Sequence, residues 1–266
     1  MIYNKHGNLV RIFYLLIALF FYAASFGGYL KRKRSIVLCY HGILAGQKRL
    51  FRWQIERVAT QNRPTFWWKK SPTVSITFDD AFDNLIENAI PALIEFNVSA
   101  LIFAISKNLG NTPQWKISKN HPEYQERTMT ATKLNIISKN PLIRIGSHTL
   151  THPFLTEISH EKIREELLES KRQLENLIKL SIDDLALPHG SYNQLVIEIA
   201  QETGYKRIYT LDPNTHDINS DNKIIGRFLM TPDVWQIEFV LTCAGAYSWL
   251  LPWRRFLDKV KRLKNR

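Results

Sequence analysis

Cysteine is nearly absent from this chain. Cys39 and Cys243 are the only two among 266 residues, too few for a disulfide framework. Cys39 lies inside an apolar run and reads as a buried thiol. Internal repeats and low-complexity segments are missing, which argues against a repeat array or a compositionally biased disordered chain. There is no zinc-finger spacing, helix-turn-helix signature or RNP-like aromatic run, so nucleic acid is not an expected partner. Acidic residues are scarce relative to basic ones: 24 Asp and Glu against 36 Lys and Arg, a net charge of +12. That imbalance calls for an acidic partner, either an anionic lipid surface or a phosphate-bearing substrate once nucleic acid is set aside. Hydrophobic residues at 45% and charged residues at 23% are ordinary, and the length suits one α/β barrel-sized domain.

Two stretches carry chemistry. In Ser75–Ile76–Thr77–Phe78–Asp79–Asp80–Ala81–Phe82, an apolar strand-like run ends in two adjacent carboxylates. Adjacent carboxylates repel, and a bound cation relieves this by taking one as ligand and leaving the other as a base. The competing reading is an N-cap before a helix. In Gly146–Ser147–His148–Thr149–Leu150–Thr151–His152–Pro153, a second apolar run is followed by two histidines four residues apart. On a helical turn or a tight loop that spacing points both imidazoles to one side. Alone, such a pair is equally a structural feature. With one carboxylate it makes the open three-ligand set of a catalytic divalent metal.

Strand-like segments lie at 36–40, 74–78, 98–105, 142–145, 184–187, 207–211 and 224–230. Helical patterns fall at 51–61, 84–96, 130–138, 160–179, 194–203 and 233–241. Pro91 should kink or delay the second helix, and Ser159 should cap the fourth, whose polar face reads as solvated. Segment 64–72, with Trp67–Trp68 and Lys69–Lys70, reads as a loop, and 108–127 as a polar surface loop. This alternation predicts parallel strands joined by helical crossovers. His41, the Asp79–Asp80 pair, His148 and His189 each follow a strand, where a (β/α) barrel collects its catalytic residues.

These motifs resemble those of the polysaccharide deacetylase (NodB-homology) family of metal-dependent carbohydrate esterases. Thr77–Phe78–Asp79–Asp80 matches the family's first motif and His148–Thr149–Leu150–Thr151–His152 its second. Leu187–Pro188–His189–Gly190–Ser191–Tyr192–Asn193 is similar to the third, and the likeness covers residues 35–241. The resemblance implies an α/β fold, a distorted (β/α)7-type TIM-like barrel. It implies a divalent metal, Zn2+ by expectation, on Asp80, His148 and His152, with Asp79 as general base. Pro188, His189, Gly190 and Tyr192 would flank substrate and oxyanion, with one backbone N–H near His189 as a donor.

The family's late acid histidine has no counterpart, since only His216 follows His189, in what reads as a polar loop. In a circularly permuted branch the acid comes early, in a Tyr-His pair, and Tyr40–His41 fits. His41 is therefore the expected general acid, the competing reading being a buried structural residue. The third-motif Arg that tethers the base is also missing. Arg227, in Ile225–Gly226–Arg227–Phe228, either replaces it from across the barrel or makes a surface ion pair. Ala81 stands where the family has Gly, which costs little if the backbone there avoids the left-handed region. His189 stands where an aromatic is usual, and His6, His121 and His160 read as exposed and idle.

Both ends point to lipid. An uncharged stretch, 12–30, is followed by Lys31–Arg32–Lys33–Arg34. It approaches the ~20 residues that span hydrocarbon, although its dense part ends near Tyr22. It reads as a transmembrane or interfacial helix, as a signal peptide cut near Ala23–Ala24–Ser25, or as a buried N-terminal helix. The basic flank favours membrane anchoring with the catalytic domain in the cytoplasm, a periplasmic or secreted domain being the alternative. At the other end, Trp253, Phe256, Leu257, Val260 and Leu263 share a helical face amid Arg254, Arg255, Lys259, Lys261, Arg262 and Lys264. That pattern suits an interfacial helix on anionic lipid, or else a terminal helix docked on the barrel. The expected organisation is an apolar membrane segment (1–34), a deacetylase barrel (35–245) and a basic amphipathic tail (246–266). The expected function is metal-dependent removal of N-acetyl (or N-formyl) groups from amino sugars of an envelope polysaccharide or lipid-linked glycan. Two other classes compete: an inactive glycan-binding relative, and a basic nucleic-acid-binding protein.

Overall fold

A computed structural model describes residues 8–25, 34–63, 72–217 and 223–256. The Trp67–Trp68 loop, the Lys31–Lys33 flank, His6 and the tail face from Leu257 onward lie outside the described residues.

The chain opens with helix α1 (Asn8–Ala24) and then builds a ring of strands. In order come β1 (Arg34–Tyr40), α2 (Lys48–Asn62), β2 (Thr73–Phe78), α3 (Leu85–Asn88), α4 (Ile90–Glu95), β3 (Ala100–Ala104) and α5 (Ala131–Ile137). After these come β4 (Ile143–Ser147), α6 (His160–Ile178), β5 (Asp184–Ala186), α7 (Gln194–Glu202) and β6 (Arg207–Tyr209). Strands β1 to β6 pair in sequence order, all parallel, so every crossover is helical or a long loop. Strand β3 is buried at all five positions, as its uninterrupted apolar run requires. Inside the ring, Val37, Leu101, Phe103, Ala186 and Tyr209 fill the interior. A larger outer cluster packs the staves against the helices.

The seventh stave differs from its sequence pattern. Segment 224–230 reads as one strand but is broken at Gly226–Arg227 into β8 (Ile224–Ile225) and β9 (Phe228–Leu229). The first half pairs with β6 and the second with β1. One broken element thus bridges the sixth and first staves and nearly closes the barrel. At the break the backbone of Gly226 lies so close to Asp212 that an added Cβ would sit 2.2 Å from its carbonyl oxygen. His216, expected in a loop, lies instead on a short antiparallel strand, β7 (His216–Asp217), against the start of β1. Its Nε2 accepts the Gly226 N–H at 2.7 Å and so braces the break.

The helices follow their patterns with two differences. The 84–96 helix is split into α3 and α4, with Pro91 in the first turn of α4. Ser159 caps α6 by accepting the Lys162 N–H, as expected, but Glu166 on its supposedly solvated face is buried. A last helix, α8 (Gln236–Cys243), follows the seventh stave. Helix α1 docks on it: Arg11 Nε donates to the buried Glu238 at 2.8 Å, and Ala18 is fully buried. Tyr14 and Phe21 pack on Trp249, with ring centroids 5.5 and 6.4 Å apart. Beyond α8, Tyr247 and Leu250 are buried, so the described start of the tail is docked on the barrel. No described helix is long and apolar enough to cross a membrane.

The break in the seventh stave turns Arg227 into the barrel, where it is fully buried. Its Nη1 and Nη2 donate to Asp79 Oδ1 and Oδ2 at 2.6 and 2.9 Å. A second N–H of Nη1 reaches Thr77 Oγ1 and Nε reaches the Thr210 carbonyl, both at 3.2 Å. Removing one partner of a buried pair strands the other charge, at about 3–5 kcal/mol. Arg227→Met should lose stability of that order in urea denaturation. Adding Asp79→Asn should restore part of it, because the stranded carboxylate is gone. A double variant no more stable than Arg227→Met alone would contradict this account.

Candidate active site

Parallel pairing sets the ends of β1, β2, β4 and β5 on one rim, which gathers the polar residues that follow them. Asp79 and Asp80 follow β2, His148 and His152 follow β4, and His41 follows β1. Asp79, Asp80, His148 and His152 are all buried. Asp80 Oδ1 lies 3.5 Å from His148 Nε2 and 3.7 Å from His152 Nε2, and the two Nε2 atoms are 3.2 Å apart. Among the described residues, Asp80 Oδ1 has no hydrogen-bond partner. A buried, unsatisfied carboxylate oxygen facing two imidazole nitrogens is the donor set a divalent cation fits. These three residues form the one such cluster found among the described residues.

Electrostatics separate the two carboxylates. Burial, the neighbouring Asp79 and Glu123 push Asp80 well above the usual carboxylate range, so a cation is its natural partner. Burial would raise Asp79 too, but the Arg227 guanidinium outweighs it and holds Asp79 below that range. Burial keeps the Cys39 thiol protonated, and its S–H donates to Asp79 Oδ2 at 3.3 Å. Asp79 Oδ2 lies 3.8 Å from His148 Nε2, beside the cluster. Arg227 is thus the buried tether of Asp79 and makes no surface pair.

Supports fix each histidine. His148 Nδ1 bonds the Ala186 carbonyl at 2.9 Å, which leaves Nε2 directed at the cluster. Burial lowers the pKa of both histidines, keeping the rings neutral with lone pairs available. His152 sits in a tight loop, its N–H bonded to Thr149 Oγ1 at 3.0 Å. The loop is organised by Glu166, which accepts the Leu150 and Thr151 N–H groups at 3.0 and 2.9 Å. Sequence gave no sign of this role, since Glu166 looks like any charge on a solvated helix face.

The rim is strained. Seven described non-glycine residues have positive φ, and five lie here: Asp80 (68°), Ala81 (53°), Thr149 (66°), His152 (64°) and His189 (57°). Each such residue costs about 1–2 kcal/mol, and such strain collects at functional sites. Ala81 therefore does not avoid the left-handed region, and it carries a cost that glycine would not.

His41 is half-buried and interacts electrostatically with Asp79 and His148. Burial lowers it to about 4, with Asp79 pulling the other way. On the opposite side, His189 stacks on Phe154 with centroids 3.8 Å apart and meets His152 edge-on at 4.5 Å. Pro188 is buried under this turn. The N–H groups of Gly190 and Ser191 close the turn on Leu187 and Pro188, so neither is directed at a substrate. Tyr192 donates to Asp212 at 2.6 Å.

Loop 108–127 is not merely a surface loop. Trp115 packs on His152 at 5.1 Å and on Phe82 at 6.3 Å, walling the site. Glu123 is buried, accepts the Gly42 N–H, and so ties this loop to the turn bearing His41. Burial pushes Glu123 up to about 7. Neither residue belongs to a motif, and only an aromatic and an acid in an otherwise polar stretch hinted at them. His121 and His160 are exposed, and His121 accepts the Glu123 N–H.

Known proteins place this geometry. A Bacillus subtilis (strain 168) relative that carries a polysaccharide deacetylase name, YxkH, is 26% identical over 174 residues, 65% of this chain and 55% of that protein. The poly-beta-1,6-N-acetyl-D-glucosamine N-deacetylase of Staphylococcus aureus (strain N315) is 24% identical over 165 residues, 62% of this chain and 56% of that one. The chain thus spans about half the length of these curated relatives. Among solved structures, IcaB from Ammonifex degensii superposes with a TM-score of 0.65 at 21% identity, over 80% of this chain and 97% of that one. The Streptococcus pyogenes deacetylase PplD in complex with acetate superposes with a TM-score of 0.61 at 19% identity, over 79% and 98%. Both share the barrel. A family model described as polysaccharide deacetylase matches residues 69–208, just over half of the chain and inclusive of both the aspartate and the histidine motifs, so the chain belongs to the polysaccharide deacetylase family.

Proposed function

We propose that this protein hydrolyses N-acetyl (or N-formyl) groups from amino sugars of a cell-envelope polysaccharide or lipid-linked glycan. The observation that carries the reading is the pairing of two unlike carboxylates. Asp80 lies among two neutral imidazoles, and Asp79 is held ionised beside them by Arg227. Membership of the family and the N-acetylglucosamine polymer named for the Staphylococcus aureus relative support an N-acetylated glycan as substrate.

Asp80, His148 and His152 would hold a divalent ion, zinc by expectation. When bound it supplies a more acidic water and a polarised acyl oxygen. Asp79, ionised and fixed at both oxygens, accepts the proton of the attacking water. Two donors from Arg227 and one from Cys39 keep its carboxylate from turning away. The sugar nitrogen cannot leave as an anion, and His41 gives it a proton. With its pKa near 4 the His41 ring rests neutral, so it becomes a strong donor only after taking up the proton that Asp79 removed from the water, which it then passes to the sugar nitrogen. Trp115 and the stacked Phe154–His189 pair wall the acyl group and limit water.

The same reading puts the protein at a membrane, with its barrel on the cytoplasmic face. Support comes from the outward row on α1, where Leu9, Phe13, Leu16 and Phe20 are 84, 58, 59 and 69% exposed. The cationic Lys31–Arg34 run follows, and Trp253 and Phe256 are exposed near the other end. An apolar face with basic flanks suits an anionic bilayer surface.

Replacing Asp80, His148 or His152 with Ala should remove bound metal and activity together, read by elemental analysis and acetate release. Asp79→Asn should abolish turnover while metal stays bound. Metal lost from Asp79→Asn but kept by Asp80→Asn would reverse the two roles.

His41→Ala should lose about 10²–10⁴ in kcat/KM on an N-acetyl sugar, the range of a general acid. It should lose far less on a nitrophenyl acetate, whose leaving group departs without a proton. Equal losses on both substrates would move the acid role elsewhere.

Cell fractionation should recover the full chain with membranes. A soluble form beginning near Phe26, outside the cytoplasm, would overturn the location and restore a cleaved signal peptide.

A further inference from the structure

Beside the Asp80–His148–His152 cluster lies a cavity of about 200 Å³, between β6's end, the seventh stave and the helix that follows α8. His189 and Arg227 form its inner wall, so it adjoins the ring that meets His152. Leu211, Met230 and Leu250 make its sides apolar, and Arg254 lines it. No carboxylate lines it among the described residues. Arg227 is committed to Asp79, so the cavity's available cation is Arg254.

We propose that this cavity is a subsite for a phosphate group carried by the acetylated amino sugar, with Arg254 as its counter-charge. The proposal rests on the deacetylase reading above and extends it to the part of the substrate next to the reacting sugar. Three observations lead there. A guanidinium beside apolar walls, with no described acid among the lining residues, leaves a positive charge that a neutral glycan would not use. Its planar fork matches phosphate oxygens two at a time. The volume is below that of a whole-ligand pocket, so it takes a group and not a second sugar chain.

The helix bearing Arg254 also says where the rest of the ligand would run. Residues 250–256 are helical, and Leu250 and Arg254, one turn apart, both line the cavity. Trp249 and Trp253 are offset from that pair around the helix. Trp249 packs on Tyr14 and Phe21 of α1, and Trp253 is exposed. Through Trp249 the helix therefore stands between a cavity with a cation and the aromatic face of α1 that carries Tyr14 and Phe21. A phosphodiester whose alcohol is a hydrocarbon chain would use both sides, whereas a soluble sugar phosphate would use the cavity alone.

The test is equilibrium binding by calorimetry to the full, metal-loaded chain. N-acetylglucosamine 1-phosphate should bind about 10- to 100-fold more tightly than the methyl glycoside of the same sugar, the range for a charge-assisted contact. Arg254→Ala should bring that ratio close to one, and Arg254→Lys should keep part of it. Equal affinities in the native protein would overturn the proposal. Equal weakening of both ligands by Arg254→Ala would do so too, since it would mark a structural role. An isoprenyl phosphate ester of the sugar separates the sources: tighter binding than the 1-phosphate assigns a lipid-linked substrate, and equal binding a soluble one. Should no acetate be released from any of them, the catalytic reading fails while the binding ratio still decides the subsite.

Discussion

The ion pair between Asp79 and Arg227 is the constraint on which the rest depends. Burying two charges is costly, and attraction offsets the cost only when geometry and further hydrogen bonds are good. Here both carboxylate oxygens and the guanidinium edge are engaged, with Thr77 and Thr210 taking two further donors. The pair joins the second stave to the broken seventh one. It therefore helps close the ring and, in the same contact, sets the charge of the group proposed as base. Closure and chemistry cannot vary independently in such a design.

The rim pays for its geometry locally. Five residues in left-handed conformations are held by surroundings that over-determine them. Glu166 gathers the turn between the histidines, Ala186 fixes the His148 ring, and Glu123 pins the outer loop to the turn after β1. These supports come from elements far apart in the chain. They act on backbone amides and ring nitrogens, so they orient the clustered side chains without joining the cluster.

Much of the barrel could be read from sequence because its staves are short apolar runs with clear helical spacers. The four residues of the two principal motifs could be read because adjacent carboxylates and paired histidines at strand ends are rare without a purpose. The seventh stave could not be resolved, since Gly226–Arg227 interrupts an apolar run without changing its character. The fate of Arg227 was open for the same reason: burial of an arginine depends on a partner 148 residues away, which no local pattern encodes. Glu123, Trp115 and Glu166 were missed because a loop or a helix face gives no sign that another element will cover it. The condition set for Ala81 could not be decided from sequence, because its left-handed turn is imposed by the rim and not by its own side chain.

The neighbourhood of the first and seventh staves has a wider consequence. Angular position around a closed ring is independent of position along the polypeptide. Strand β1 lies between β2 and β9, so His41, from the first stave, and Arg227, from the last, both reach toward Asp79 from the same direction round the ring. Moving the chain ends to another helix–strand connection would renumber these groups and leave their arrangement in space unchanged. A proton donor or a tether can then migrate from a late motif to an early one, or the reverse, without any change in the chemistry it serves. Motif order in such barrels records where the ends of the chain happen to fall.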